Sequence, residues 1–168
     1  LLVIRFFSMG DVVLLAPVLH ALAREHTRLS VTLVTKKKYE PFFYNIPGVE
    51  VISVDLKKEY RGFYGIYRLF RELRKLGPYT RGIDLQSNLR SRVLKLLFWF
   101  SGLRFTTIIK GQREKRRHTR RKNKDLRPLP HLIDRYMRVF ERAGVRATPD
   151  RGPWINPDIH CRVAAKAF

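Results

Sequence analysis

The chain has 168 residues, of which 45% are hydrophobic and 12% aromatic, and this composition excludes a disordered chain because it can bury a core. Its 35 Lys and Arg residues outnumber 14 Asp and Glu residues, so a formal net charge of +21 predicts an anionic partner such as nucleic acid, anionic lipid or phosphorylated glycan. The single cysteine, Cys161, excludes an intrachain disulfide, and no apolar run approaches the ~20 residues that span a bilayer.

Apolar runs alternate with helical periodicities along the chain. Strands are predicted at residues 1–6, 31–34, 49–54, 82–85 and 105–109. One helix follows the first strand, with Leu15, Val18, Leu19 and Leu22 on a single stripe. Four later helices are predicted. The first lies near residues 41–44, and the second carries Phe63, Ile66, Tyr67 and Phe70 on one apolar face. The last two span residues 88–100 and 132–143.

This alternation predicts the α/β class, with a doubly wound, mostly parallel Rossmann-like sheet. Residues 110–127 interrupt it with a dense basic run, and the chain after residue 147 has the proline and glycine content of a linker. We therefore expect one domain over residues 1–147, followed at residues 148–168 by a linker and the start of a truncated second domain.

The loop after the first strand contains Ser8, Met9, Gly10 and Asp11. It lacks the G-x-G-x-x-G spacing of a dinucleotide site, which argues against NAD binding. Asp11 would lie at a helix N-terminus, where the macrodipole favours a carboxylate that could accept a proton as a general base. Asp is also among the commonest helix caps, so a purely capping role is the alternative.

Other polar residues are expected at the same edge of the sheet, where parallel α/β proteins bind ligands. Residues 84–92 supply amides and guanidiniums suited to sugars and phosphates, with capping by Ser87 or Asn88 as the alternative. The turn after the third strand adds Lys57, Lys58 and Arg61, which could bind an anion or could simply be exposed to solvent. No cluster has metal-ligand spacing, so no metal site is expected. The candidate anion-binding residues of these segments and of the basic run are Lys57, Lys58, Arg61, Gln86, Asn88, Arg90, Arg113, Arg116, Arg117 and Arg120.

Three stretches together resemble one family. Residues 2–19, LVIRFFSMGDVVLLAPVL, closely resemble the opening of the ADP-heptose:lipopolysaccharide heptosyltransferases, glycosyltransferase family nine. Residues 83–91, IDLQSNLRS, are similar to the family's second signature, and residues 110–136 are similar to its basic loop and following helix. Phe7 departs from the family, which commonly has a small hydroxyl residue there.

The resemblance implies the N-terminal, acceptor-binding half of a GT-B enzyme with two Rossmann-like domains. It implies that Asp11 is the general base of a metal-independent, inverting transfer from ADP-heptose, and that Ser8, Met9 and Gly10 line the acceptor site. The donor would be bound mainly by the other domain, and no cofactor is expected. The implied partner is the lipopolysaccharide inner core at the cytoplasmic face of the inner membrane, and residues 1–168 alone are expected to be inactive.

The main alternative is a basic α/β domain without catalysis that binds nucleic acid or an anionic membrane surface. The basic run lacks interleaved aromatic residues for stacking on bases, so nucleic acid is not the expected partner. A membrane surface could be contacted by Arg90, Arg92, Lys95 and the apolar residues 96–100. The apolar residues of that stretch are expected to pack on the sheet instead.

Overall fold

A computed structural model describes residues 1–109 and 131–148 of the chain. Within them, five strands form one sheet in the order β3-β2-β1-β4-β5, and every neighbouring pair is parallel. The predicted doubly wound sheet is confirmed. The direction of strand order reverses between β1 and β4, which is the switch point where such sheets bind ligands. The strands are β1 (Leu2–Ile4), β2 (Val31–Thr35), β3 (Val49–Ser53), β4 (Gly82–Asp84) and β5 (Phe105–Thr107).

The helices differ from expectation near the N-terminus. The single helix predicted after the first strand is two helices, and Pro17 lies in the first turn of the second, where its missing N–H group leaves no helical hydrogen bond unmade. The short helix predicted near residues 41–44 is a 3₁₀ helix over Lys37–Phe43. The α-helices are α1 (Met9–Val13), α2 (Ala16–Glu25), α3 (Gly62–Leu76), α4 (Leu89–Phe100) and α5 (Leu132–Arg142).

The first strand is also shorter than the apolar run that predicts it. β1 ends at Ile4 because the backbone N–H groups of Phe6 and Phe7 bind the side chain of Gln86 instead of a neighbouring strand. The sheet buries both faces. Val3 packs with α1, α2, α5 and the 3₁₀ helix on one side, whereas Leu2 and Ile4 pack with α3 and α4 on the other.

The face that α3 buries matches the predicted one only in part. Ile66 and Phe70 are buried as expected, but Phe63 is 69% exposed and Tyr67 is 42% exposed. The buried stripe continues through Leu69 and Leu73, at the spacing of successive turns. The predicted face is therefore displaced toward the exposed aromatic residues Phe63 and Tyr67, at one side of the buried stripe.

Tyr60, in the turn before α3, supplies a pH-dependent contribution to stability. Burial, and then a hydrogen bond from its hydroxyl to Glu72, raise its pKa from 10.0 to about 12. A raised pKa means that this contribution is complete below pH 10 and is lost as the pH rises from 10 to about 12. Between pH 8 and pH 11, the native chain should therefore lose about 1 kcal/mol of unfolding free energy that Tyr60→Phe does not lose. Urea unfolding at both pH values checks this, and equal losses in the two proteins would contradict it.

Candidate functional site

Two loops with unusual backbone meet at the switch point. They follow the adjacent strands β1 and β4, and each has one serine in the left-handed region: Ser8 with a φ of 66° and Ser87 with a φ of 48°. Residues other than glycine seldom adopt this conformation, and it is concentrated at functional sites. Both loops belong to the stretches that carry the family resemblance.

A buried guanidinium joins the two loops. Arg5, just after β1, is only 6% exposed, and it donates hydrogen bonds to the backbone carbonyl of Leu85 and to the Asp11 carboxylate. Its guanidinium also lies 5.9 Å from the centre of the Tyr136 ring. The sequence analysis missed Arg5 because it placed this residue within the first predicted strand and assigned it no role. The available signal was a cation inside a buried strand, six residues before an aspartate.

The carboxylate of Asp11 is held by this ion pair and does not cap the helix. Asp11 is the third residue of α1, and the residue in the capping position is Ser8, whose side chain makes no capping hydrogen bond. The Asp11 side chain remains 41% exposed. Arg5 binds Oδ2, and Oδ1 makes no hydrogen bond with any residue that the structure describes. With respect to the described part of the chain, one carboxylate oxygen is therefore open to a ligand at this edge.

Tyr136 of α5 fixes the backbone at the same position. Its hydroxyl donates to the carbonyl oxygen of Asp11 at 2.9 Å. Burial is the main cause that raises the pKa of Tyr136, while the charge of Arg5 opposes the shift and that of Asp11 adds to it. The hydroxyl therefore stays protonated and acts as a constant donor.

Gly10 leaves open space beside Asp11. A Cβ atom built on Gly10 would meet no atom within 4 Å, and Gly10 does not have a positive φ. Neither packing nor backbone conformation within the described residues therefore requires glycine here. The close approach of a ligand to this backbone would require it. Ser8 and Met9 are exposed on the same turn, as expected of residues that could touch a ligand.

The loop after β4 is organised by Asp84, which is fully buried. Its Oδ1 accepts from the backbone N–H groups of Gln86 and Ser87 at 2.9 and 2.8 Å. Its Oδ2 accepts from the Ser91 hydroxyl and pairs with Lys95, both at 3.0 Å. Lys95 is thus held by a buried carboxylate, which counts against its role in the membrane-surface alternative.

The side-chain amide oxygens of Gln86 and Asn88 accept hydrogen bonds from the backbone and so stabilise the fold. Gln86 Oε1 accepts from the N–H groups of Phe6 and Phe7 at 3.0 and 2.9 Å. Asn88 Oδ1 accepts from the Ser91 N–H at 2.9 Å, which confirms the capping alternative for Asn88. Contact of either residue with an acceptor sugar stays a prediction, in which the free donors would be the amide nitrogens.

Lys36 lies close enough to cations of other segments to be affected by their charge. Lys36 follows β2, and its ammonium lies 3.9 Å from the centre of the Phe7 ring. Burial is the largest cause that lowers the pKa of Lys36, followed by repulsion from Lys38, Lys57 and Arg90. Sequence reasoning found Lys57 and Arg90 but missed Lys36. Phe7, where the family commonly has a hydroxyl residue, supports this lysine through a cation–π contact.

The remaining predicted residues are only partly placed. Lys57 and Lys58 donate their backbone N–H groups to Asp55 at 2.8 and 3.1 Å, which orders their turn and leaves their side chains exposed. Arg61 is exposed before α3. Outside the described residues lie Arg113, Arg116, Arg117 and Arg120, as well as most of the predicted linker at residues 148–168.

Over residues 1–109 and 131–148, no three His, Cys, Asp or Glu side chains are grouped so that they could hold a metal ion. None of the helices described in these ranges is long and apolar enough to cross a membrane.

The buried ion pair predicts an unequal effect of two Arg→Met substitutions. Arg5→Met leaves the Asp11 carboxylate and the Leu85 carbonyl without their partner, so it should lower the unfolding free energy by about 2 kcal/mol, less than a wholly buried pair because Asp11 is partly exposed. Arg68→Met breaks a surface pair with Glu72 at 2.8 Å and is the matched control, with a much smaller expected loss. Urea unfolding measures both, and a loss for Arg5→Met no larger than that for Arg68→Met would contradict the assigned role.

Comparisons with known proteins support the fold. No protein-family model matches the sequence, and no curated protein matches it either. A crystal structure of a glycosyl transferase family 9 protein from Veillonella parvula DSM 2008 is similar over 90% of this chain, with a TM-score of 0.64 and 23% identity. The E. coli heptosyltransferase WaaC with ADP-2-deoxy-2-fluoro heptose is similar over 91%, with a TM-score of 0.58 and 19% identity. The same enzyme with ADP gives a TM-score of 0.57 and 18% identity over 91% of the chain.

The chain spans about half the length of these proteins: 43% of the Veillonella protein, and 51% and 50% of the two WaaC structures. The likeness confirms the expected resemblance at the level of structure. The chain has the parallel Rossmann-like fold of these glycosyltransferases, as expected for one half of a GT-B enzyme.

Proposed function

We propose that this chain is the acceptor-binding domain of an inverting glycosyltransferase that transfers heptose from ADP-heptose to the lipopolysaccharide inner core. The observation that carries the proposal is the partly exposed Asp11 carboxylate, held by buried Arg5 at the switch point of the sheet. The structural likeness to the heptosyltransferase WaaC supports the class of reaction. The resemblance of residues 2–19 supports the role of Asp11.

In the proposed reaction, Asp11 takes the proton of an acceptor hydroxyl. The freed oxygen attacks the anomeric carbon of the donor sugar, a new carbon–oxygen bond forms, and the bond to ADP breaks on the opposite face, so the configuration inverts. Arg5 holds Oδ2, and Oδ1 is the atom that would receive the proton. No step requires a metal ion. The donor would lie mainly on a second domain, so residues 1–168 alone should not transfer sugar.

Lys36 and the cations that act on it provide the proposed recognition of the acceptor. The charges of Lys57 and Arg90 act repulsively on Lys36, with Asp55 opposing them, and a bound anion would relieve this repulsion. A phosphorylated, carboxylate-bearing glycolipid supplies such anions. The proposed setting is the cytoplasmic face of the inner membrane, where this acceptor would be presented.

The role of Asp11 can be separated from a structural one. In a protein that contains both halves of the enzyme, Asp11→Asn should lower kcat about 100-fold to 10,000-fold, because Asn cannot accept the proton. Because Asn removes the countercharge of buried Arg5, the melting temperature should also fall, so kcat is measured at a temperature where the variant is folded, and the acceptor affinity should change little. Near-normal turnover in Asp11→Asn would refute the general-base assignment. The two-domain assignment would fail if purified residues 1–168 transferred sugar unaided.

Lys36 tests the anion site. Lys36→Met retains the aliphatic stem over Phe7 but removes the charge, so the affinity for soluble phosphorylated core oligosaccharide should fall about tenfold, because charge-assisted hydrogen bonds contribute about 1.5–3 kcal/mol. Lys75→Met, an exposed lysine in the last turn of α3, is the matched control and should bind normally. Isothermal titration calorimetry measures both. Weakened binding to a single-stranded oligonucleotide with unchanged oligosaccharide affinity would instead favour the nucleic-acid alternative.

A further inference from the structure

Helix α4 exposes an apolar face to its surroundings. Its buried side carries Ser91, Leu94 and Phe98, and its outer side carries four large apolar residues. The prediction that residues 96–100 pack on the sheet is therefore wrong for three of them. The exposed fractions are 76% for Leu89, 55% for Leu96, 61% for Trp99 and 76% for Phe100. Leu89, Leu96 and Phe100 form one line along the helix, because they are separated by seven and four residues.

Helix α3 extends this surface with aromatic residues. The two helices pack together on the same side of the sheet, where the rings of Phe70 and Phe98 meet at 4.9 Å between centroids. Tyr67 lies 6.2 Å from Phe70 and is 42% exposed, while Phe63 and Tyr64 are 69% and 80% exposed. We name the exposed residues of the two helices the α3–α4 face. Exposed large apolar residues gathered on adjacent elements mark interaction surfaces.

The same two helices are strongly cationic. Over Gly62–Leu76 and Leu89–Phe100 the sequence has seven Lys and Arg residues and one acidic residue, Glu72, a net charge of +6. Glu72 is paired with Arg68, and Lys95 is paired with buried Asp84. The cations that remain exposed beside the apolar residues are Arg71, Arg74, Lys75 and Arg92.

We propose that the α3–α4 face docks on an anionic phospholipid bilayer. Trp, Phe and Leu side chains insert at the boundary between headgroups and acyl chains, and adjacent Lys and Arg side chains pair with anionic headgroups. Charge decides between this occupant and a second copy of the chain. Two such faces in a symmetric dimer would bring like charges together, which disfavours self-association.

Trp99 provides a direct probe of insertion. Trp154→Phe leaves Trp99 as the only tryptophan, since the sequence has two. Vesicles of phosphatidylglycerol and phosphatidylethanolamine should shift its emission to the blue, and brominated acyl chains should quench it. Vesicles of phosphatidylcholine alone should produce neither effect. Absence of quenching despite vesicle binding would overturn the proposal, because another part of the chain would then make the contact.

Substitution tests the same face without a probe. Trp99→Gln combined with Phe100→Gln should lower partitioning onto the anionic vesicles about tenfold or more, because binding scales with inserted apolar area. Tyr44→Gln is the matched control, since Tyr44 is 52% exposed and adjoins the 3₁₀ helix on the other side of the sheet. Unchanged partitioning of the folded double variant would mean that charges elsewhere on the chain bind the membrane, and it would overturn the proposal. The proposal would also be overturned if the Trp99 emission shifted to the blue with rising protein concentration in the absence of vesicles, because that shift indicates self-association.

The vesicles contain no glycolipid, so these results are independent of the proposed transfer reaction. Soluble phosphorylated core oligosaccharide should bind the double variant with unchanged affinity. Failure of that binding in the native chain would count against the proposed function and leave the docking surface standing.

Discussion

The guanidinium of Arg5 is the point on which the geometry of the site depends. It is buried at the end of β1, and its charge is compensated by the Leu85 carbonyl and the Asp11 carboxylate. A buried cation without partners is strongly unfavourable, so the two loops must stay together for the fold to be stable. Because the buried Arg5 charge needs a partner, the Asp11 carboxylate is held at the edge where a parallel sheet binds its ligand.

The carboxylate of Asp84, at the end of β4, is enclosed by the fold, unlike that of Asp11. It is fully buried and uses both oxygens for the backbone, Ser91 and Lys95. Among the residues that the structure describes, only Arg5 binds the Asp11 side chain, through one oxygen, and that side chain is partly exposed. Asp84 at the end of β4 and Asp11 in the helix that follows β1 therefore have different roles. One orders the loops, and the other faces the open space beside Gly10.

The fold was largely predictable from the sequence because buried parallel strands and amphipathic helices have distinct periodicities. Boundaries failed where long-range contacts override local pattern, as at Phe6 and Phe7, whose N–H groups bind Gln86 from 80 positions away. The position of Asp11 followed from motif and topology. The partners of Asp11 could not be predicted, because the Arg5 side chain and the Tyr136 hydroxyl reach it only through tertiary packing, which the spacing of residues along the sequence does not reveal. Lys36 was missed for the same reason, since its neighbours come from other loops.

The attachment of β5 and α5 has a consequence for how binding at this edge would be felt elsewhere in the fold. Ile108, after β5, donates its N–H to the Asp84 carbonyl at 2.9 Å, and Tyr136 of α5 donates to the Asp11 carbonyl. Each hydrogen bond ties an element from late in the chain to one of the two loops at the switch point. A ligand that displaced the backbone of either aspartate would therefore strain the packing of β5 or α5, so occupancy of this edge is coupled to the stability of the last helix that the structure describes.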